Sequence, residues 1–573
     1  MADQPSRLGR FFPIIDWLGS YRRDDARSDI SAGLTIAAML IPQGMAYALL
    51  AGLPPEVGLY ASTLPVIAYA IFGTSQQLAV GPVAIVSLLT ASALAPLVEQ
   101  GSVGYVTAAA LLALMVGVVH LVLGFGRLGF VVNFLSHSVL VGFTAAAAII
   151  IGFSQVKHIL GISIPRREHF YETVGDVIGA LGDTHAATIA LGAGSIAALL
   201  IIKSRAPRLP GALFAVVATT LITAIASLGD KGVATVGEIP DSLPSFGLPD
   251  AGDGLIGDLA VTALVITMVG FMESIAVAKV YARRHRYDVD ANSELVALGM
   301  ANVTSGLFGG YPVTGGFSRT AVNDTAGART PLASIITAVL VLVTIAFLTP
   351  LFTELPKAAL GAIIIVAVLN LIDVKEMRHI ASVKRSDTIG MGVAFVATLA
   401  VGIEVGILVA VVASMLVVFA RMSRPHTAIL GLIPGTTSYR NVDRFPEAIV
   451  PAGVRVVRID AALSFVNSQY VKKLLLAEAD ASDGRTRVVL DCSGINDIDA
   501  TGAETLLEII TEFDETAVTL HLCDVKGPVR DVLHRSGLWD RLTGRVHATP
   551  HQAVSGSSGD DLRSTGVDER VTT

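Results

Sequence analysis

Charge is scarce in this sequence. Only 16% of its 573 residues are Asp, Glu, Lys or Arg, against about 25% in soluble domains, which excludes one ordinary water-soluble globule. Cysteine is scarcer still: Cys492 and Cys523 are the two in the chain, both late and without metal-ligand spacing. They are expected to be small buried side chains in a reducing compartment, and no metal site is expected. There is no Gly-x-x-x-x-Gly-Lys-[Ser/Thr] phosphate loop, which argues against ATP-driven work, and no catalytic triad. The chain therefore reads as a non-enzyme, with no cofactor and no nucleic-acid partner.

What is present is apolar, and it comes in blocks. Hydrophobic residues make up 52% of the chain and the mean hydropathy is +0.65. Between Gly392 and Ala420 the one ionisable side chain is Glu404, read as a turn residue between two spans. A run of about 20 apolar residues crosses the hydrocarbon as a helix, so the lipid bilayer is the expected solvent. Such segments fall near 30–50, 58–72, 82–98, 104–124, 134–153, 186–202 and 210–228. A second set falls near 255–279, 291–309, 317–326, 331–350, 357–372, 386–402 and 404–421. The charged run from Arg22 to Asp29 ahead of the first segment does not read as a cleavable leader.

Basic residues set the expected orientation. Arg22, Arg23 and Arg27 precede the first segment, and Lys203, Arg205 and Arg208 follow the sixth. Lys279, Arg283, Arg284 and Arg286 follow the eighth; Lys375, Arg378, Lys384 and Arg385 follow the twelfth; Arg421 and Arg424 end the last. With about fourteen crossings all of these share one side, which is the cytoplasmic one. The loop from Ser227 to Asp253 carries Asp230, Glu238, Asp241, Asp250 and Asp253 against Lys231 alone, and falls opposite. Both termini are expected in the cytoplasm of a multi-pass cell-membrane protein. The two sets look like repeats of odd helix number and hence opposite topology: Leu135-Ser-His-Ser-Val-Leu140 matches Leu355-Pro-Lys-Ala-Ala-Leu360.

From about Ala452 the pattern becomes that of a soluble α/β domain. Val454–Ile459, Arg487–Asp491 and Val518–Cys523 read as strands, with helical patterns between them. The expected domains are an N-terminal segment (1–29), membrane repeat 1 (30–228), an extracytoplasmic loop (229–254) and membrane repeat 2 (255–421). A linker (422–451), the α/β domain (452–553) and a disordered tail (554–573) complete the chain.

Four motifs carry chemistry. Val80-Gly-Pro-Val-Ala84 places Pro82 near the first turn of the third segment, and Tyr311-Pro-Val-Thr-Gly-Gly-Phe-Ser-Arg319 opens the tenth. Gly315 and Gly316 would let backbone approach a ligand, and two half-helices with facing N-termini would hold an anion without a permanent ion. Arg319 is a costly intramembrane cation that should face a cavity and an anion. Glu273, in Met268-Val-Gly-Phe-Met-Glu-Ser-Ile-Ala276, is a carboxyl among apolar groups and hence a candidate proton or sodium coupling site. In Ile41-Pro-Gln-Gly-Met-Ala-Tyr47, Pro42 and Gly44 should break the first helix while Gln43 and Tyr47 share one face as hydrogen-bond donors.

These residues resemble the sulfate permease (SulP) family of anion transporters. The likeness runs through Ile41–Ser62, Phe72–Ser75, Val80–Ala84, Gly270–Ser274 and Gly316–Thr320, and departs from the usual signature at Val57 and Gln76. It implies a seven-plus-seven inverted repeat, with a core moving against a gate as in nucleobase transporters, and a homodimer. It places the substrate at Gln43, Tyr47, Ala84, Gly316, Phe317, Ser318 and Arg319, with Glu273 as coupling carboxylate. Sodium-using relatives often carry Asp there, so Glu points to H+ as coupling ion, with Na+ as the alternative. The C-terminal part resembles the STAS domain through Asp491-Cys-Ser-Gly-Ile-Asn-Asp-Ile-Asp-Ala-Thr-Gly502. Thr501 stands where anti-sigma-factor antagonists carry a phosphorylated Ser, which makes it a candidate regulatory residue and implies a cytosolic protein partner. The expectation is a proton-coupled sulfate symporter of elevator type. Sodium-coupled bicarbonate or C4-dicarboxylate transport, a membrane-tethered signalling protein and an anion channel are the alternatives.

Overall fold

The computed structural model describes residues 12–19, 21–130, 136–165, 167, 169–206, 209–250, 254–479, 486–516 and 518–555, without the side chains of Asp16, Glu404 and Ile407. Leu135 of the repeat match, Arg208, Asp253 and the tail beyond 555 lie outside the described residues. The chain divides into two compact units, Met1–Ser414 and Met415–Thr573.

Every predicted apolar segment holds a helix. The first set comprises α1 (Arg23–Leu50), α2 (Leu64–Phe72), α3 (Ala84–Leu94), α4 (Val103–Phe125), α5 (His137–Ser154), α6 (Ala186–Arg205) and α7 (Gly211–Ile225). The second set comprises α8 (Leu255–His285), α9 (Ala291–Leu307), α10 (Phe317–Thr325), α11 (Leu332–Phe347), α12 (Lys357–Val368), α13 (Arg385–Val401) and α14 (Ile403–Ser423). Short polar groups start several of them. The Arg22 N–H donates to Asp25 Oδ2 ahead of α1, and Ser102 Oγ and Asp290 Oδ1 accept from the first turns of α4 and α9. Segment 58–72 is split, with a separate turn at Pro55–Tyr60.

The helices sort into two packed groups. α4 lies against α8 and α9, α2 against α9 and α11, α1 against α10 and α11, and α3 against α8. In the second group α5 packs on α12 and α13, and α12 on α6 and α7; the two groups meet where α1 touches α7 and α12 and α3 touches α5.

Two local expectations fail. α1 runs through Pro42 and Gly44 without interruption. Gly44 serves packing instead: a Cβ on the facing Gly58 would sit 2.0 Å from the Gly44 carbonyl oxygen, so only two glycines allow this approach. Pro82 stands two residues ahead of α3, near its first turn as expected. Glu404 belongs to the first turn of α14; the break before it falls on Gly402, whose φ of 103° suits glycine.

The second unit is built on a sheet. β1 (Val80–Gly81) and β2 (Thr314–Gly315) belong to the membrane unit; β3 (Thr427–Leu432), β4 (Tyr439–Asn441), β5 (Val454–Ile459), β6 (Arg487–Asp491), β7 (Thr519–Cys523) and β8 (Val546–His547) form one six-stranded sheet in the order β4-β3-β5-β6-β7-β8. β5 to β8 are parallel, while β3 pairs antiparallel with β4 and β5. The 422–451 segment is therefore not a linker, since it supplies β3 and β4. Thr427-Ala-Ile-Leu-Gly-Leu432 follows an apolar helix so closely that its own strand pattern is masked. Central β6 is apolar on both faces, as a parallel strand covered on both sides must be.

Candidate anion site

The backbone between α2 and α3, and again between α9 and α10, is extended at the depth of the surrounding helices. Within hydrocarbon such backbone persists only where protein satisfies its polar groups, and neighbouring side chains do so. Asn302 of α9 brackets Val313, donating from Nδ2 to its carbonyl and accepting its N–H, both at 2.9 Å. Ser305 Oγ donates to the Tyr311 carbonyl at 2.7 Å, and the Gly315 N–H donates to Ser274 Oγ at 2.8 Å. Asn323 Nδ2 donates to the Gln77 carbonyl, and the Ala79 N–H to Thr320 Oγ1.

The two extended segments then pair with each other. β1 and β2 are antiparallel, Val80 opposite Gly315 and Gly81 opposite Thr314. Strands running in opposite senses send α3 and α10 away from a common centre, so the N-terminal ends of both helices face it. Neither has a side-chain cap. The first turn of any helix leaves N–H groups without intrahelical acceptors and carries the positive end of the dipole. Both helix starts line one cavity of about 50 Å³.

All eight residues singled out from the sequence line that cavity: Gln43, Tyr47, Ala84, Glu273, Gly316, Phe317, Ser318 and Arg319. Gln43 and Tyr47, one turn apart on α1, are buried. Arg319 is 2% exposed, and its Nη1 donates to the Pro82 carbonyl, while Nε and Nη2 have no protein partner. Gln43 Oε1 and Glu273 Oε2 also lack one. Among the described residues, no ion pair joins Glu273 to Arg319, although the two lie within electrostatic reach. A buried guanidinium with two donor nitrogens unspent, beside two open helix starts, offers the donors and the positive charge that a small anion needs.

The glycines act differently from the sequence expectation. The Gly315 and Gly316 N–H groups are spent on Ser274 Oγ and the Ala79 carbonyl, not on a ligand. A Cβ on Gly316 would lie 3.0 Å from Arg319 Nη2 and 3.1 Å from its Cζ, so this glycine makes room for the guanidinium.

Sequence reasoning missed several members. Val83, Ile85, Ala367, Val368, Asn370 and Leu371 complete the lining, and Tyr311 pins the first turn of α3 through Ser87 at 2.9 Å. It also missed Asp29 and Glu294, two buried carboxylates in the membrane unit. Glu294 accepts from the Tyr69 hydroxyl, the Thr74 N–H and hydroxyl and the Ser75 N–H, at 2.6 to 3.0 Å. An Asp or Glu in an apolar helix signals the cost, but one sequence does not say whether local donors already meet it.

The cavity adjoins a second one of about 180 Å³, with which it shares Gln43, Ser318, Ala367 and Asn370. This second space runs along Thr35 and Met39 of α1 to Lys203 of α6, and Lys203 donates to Asn370 Oδ1. In the second unit, Thr501 is exposed in the first turn of the helix Ala500–Asp514, which Asp499 caps by accepting the Gly502 N–H at 2.7 Å. Cys492 and Cys523 are buried free thiols.

An α-helical membrane core with half-helices converging on a cationic cavity, followed by an α/β domain, defines a membrane anion transporter. Residues 27–394 match the sulfate permease family and residues 445–553 the STAS domain. The chain belongs to the sulfate permease family. It is 38% identical over 550 residues to the chloroplastic sulfate transporter 4.1 of Arabidopsis thaliana, covering 93% of this chain and 80% of that one. It is 37% identical over 531 residues to a probable sulfate transporter of Mycobacterium tuberculosis (strain CDC 1551 / Oshkosh), covering 92% and 95%. The murine Solute Carrier 26 family member A9 anion transporter, solved in its inward-facing state, superposes with a TM-score of 0.90 at 27% identity, covering 97% of this chain and 95% of that one.

Proposed function

We propose that this protein is a secondary active transporter that carries sulfate with protons through the cavity between α3 and α10. The observation that carries the proposal is the pairing of two uncapped helix starts with the two unspent nitrogens of Arg319. A dianion with four oxygens uses such divergent donors well, and the sulfate transporters among the relatives favour this substrate. Glu273, with one oxygen unpartnered at the same cavity, is the coupling carboxylate: protonated, it removes one negative charge from the loaded core. A carrier of this kind performs no covalent chemistry.

The two packed helix groups support an elevator-like movement of a core (α1–α4, α8–α11) against a gate (α5–α7, α12–α14). Several of their pairings also map onto one another when seven is added to or subtracted from each helix number. α1 with α11 becomes α8 with α4, α5 with α13 becomes α12 with α6, and α1 with α10 becomes α8 with α3. This supports the inverted repeat. With basic loops and both termini in the cytoplasm, the larger cavity leading to Lys203 is the inner vestibule, and the described conformation is open inward. The cell membrane, a homodimeric assembly and a cytosolic partner for the STAS domain complete the proposal.

The test is radiolabelled uptake into proteoliposomes, screening sulfate, bicarbonate, succinate and chloride with and without pH and sodium gradients. Sulfate accumulation driven by an inward proton gradient is expected. Uptake indifferent to pH but driven by sodium would replace the coupling ion, and current without any coupled gradient would make the protein a channel.

A further inference from the structure

Two opposite charges line the anion cavity without pairing. Glu273 and Arg319 lie within electrostatic reach of each other. Glu273 Oε2 is buried with no protein partner, and so are Nε and Nη2 of Arg319. Away from water such charges attract strongly, and a guanidinium is shaped to take a carboxylate with two nitrogens. The backbones that carry them must therefore be held in place.

The hold on Glu273 falls on its neighbour in the chain. Ser274 of α8 and Thr314 of β2 are both buried. Thr314 Oγ1 donates to the Gly270 carbonyl at 2.6 Å, which uses the one proton a hydroxyl can give. The 2.7 Å contact between Ser274 Oγ and Thr314 Oγ1 is then donated by Ser274. Ser274 Oγ in turn accepts the Gly315 N–H at 2.8 Å. Every proton in this row is thus assigned. Gly270 and Ser274, four residues apart, share the face of α8 that meets β2, and a Cβ on Gly270 would sit 3.0 Å from Thr314 Oγ1. One turn of α8 is fastened to β2 at both ends, and Glu273 belongs to that turn.

Arg319 is held separately. Its Nη1 donates to the Pro82 carbonyl. Behind it, Thr320 Oγ1 donates to the Gly316 carbonyl at 2.8 Å and accepts the Ala79 N–H at 3.1 Å. The arginine is fastened to the segment ahead of α3, and the carboxylate's turn to β2.

We infer that Ser274 and Thr314 are positioning residues that keep Glu273 off Arg319, so that the guanidinium receives the transported anion and not the chain's own carboxylate. The inference rests on the proposed anion site. Neither hydroxyl lines the cavity, so both act through the backbone that carries Glu273. With the row broken, that turn shifts, the carboxylate takes Nε and Nη2, and the site closes on itself.

The experiment measures sulfate binding to the purified full-length protein by calorimetry, with a melting curve for each variant. Ser274→Ala and the near-isosteric Thr314→Val each break the row and should weaken binding about tenfold or more. Thr314→Ser keeps the hydroxyl and should bind as the unmodified protein does. Adding Glu273→Gln to either broken row removes the competing charge and should return the affinity to that of Glu273→Gln alone. Removing a charge would not repair a merely structural loss. Unchanged affinity in both broken rows, equal losses in Thr314→Ser and Thr314→Val, a loss that Glu273→Gln leaves in place, or variants that stay unfolded with Glu273→Gln would each overturn the inference. Electron cryo-microscopy of Ser274→Ala beside the unmodified protein needs no substrate. A Glu273 oxygen is expected within about 4 Å of Nε or Nη2 of Arg319 in the variant, and charges still apart would overturn the inference. A closed pair in that variant of a protein that binds no sulfate would instead reject the proposed substrate and leave the positioning role standing.

Discussion

The guanidinium of Arg319, in the first turn of α10, donates from Nη1 to the carbonyl of Pro82, two residues before α3 begins. One side chain thus ties the two broken segments together and still leaves Nε and Nη2 without a protein partner beside the cavity that Arg319 lines. Lysine cannot do both, because its ammonium is a point charge without the planar fork. Arg319→Lys is expected to raise the KM for sulfate about tenfold or more while the protein remains folded, checked by uptake kinetics beside a melting curve.

Gly316 should be intolerant for a steric reason. A Cβ there meets Arg319 Nη2 at 3.0 Å and Cζ at 3.1 Å, and the guanidinium is anchored on its other side by Pro82. Gly316→Ala is expected to lower transport by displacing Arg319 rather than by unfolding. Normal kinetics in this variant would show that the guanidinium shifts without consequence.

Glu273 carries the proposed proton. Glu273→Gln mimics the protonated form permanently, so it should bind sulfate but lose its response to an inward proton gradient, leaving downhill exchange. Gradient-driven accumulation equal to that of the unmodified protein would remove Glu273 from coupling.

Glu294 should behave in the opposite way, as a structural carboxylate. Four donors converge on it, and Gln would turn an NH₂ group toward donors. Glu294→Gln is expected to cost about 2 kcal/mol or more, seen as a lower melting temperature in detergent. Its effect on the pH dependence of uptake should be small.

In the second unit, His521 and His547 stack with Nδ1 and Nε2 2.9 Å apart. Burial, with Arg487 nearby, depresses both; His521 falls to about 4. A histidine depressed in the fold contributes stability above its unfolded value of about 6.5 and loses it as pH falls toward the folded value. Protection factors of the β7 amides, corrected for the intrinsic exchange rate at each pH, should therefore fall between about pH 6.5 and 4, and less so in His521→Phe.

Much of the fold was legible because hydrophobic blocks and their Gly/Pro interruptions are one-dimensional signals. The helix segments fell where the runs of apolar residues are, and the STAS pattern appeared at Asp491–Gly502. The two strands between Thr427 and Asn441 were not legible, since a short edge hairpin directly after an apolar helix has no composition boundary of its own. Gly44, Gly315 and Gly316 signalled close approach correctly, but the sequence does not say whether the approaching group is Gly58, Ser274, Arg319 or a ligand. Asn370 was invisible for a related reason: a polar residue just past a helix end acquires meaning only when the fold sets it at a cavity mouth. Glu273 and Glu294 look alike in sequence, and the difference is one of partners, which only the packed structure supplies.

Sulfate binding to the purified full-length protein, measured calorimetrically beside Arg319→Ala, tests most directly whether α3, α10 and their arginine form the anion site. Saturable binding by the unmodified protein and none in the variant is the expected pair. A variant that binds sulfate with unchanged affinity would place the anion elsewhere and contradict the site on which the transport mechanism rests.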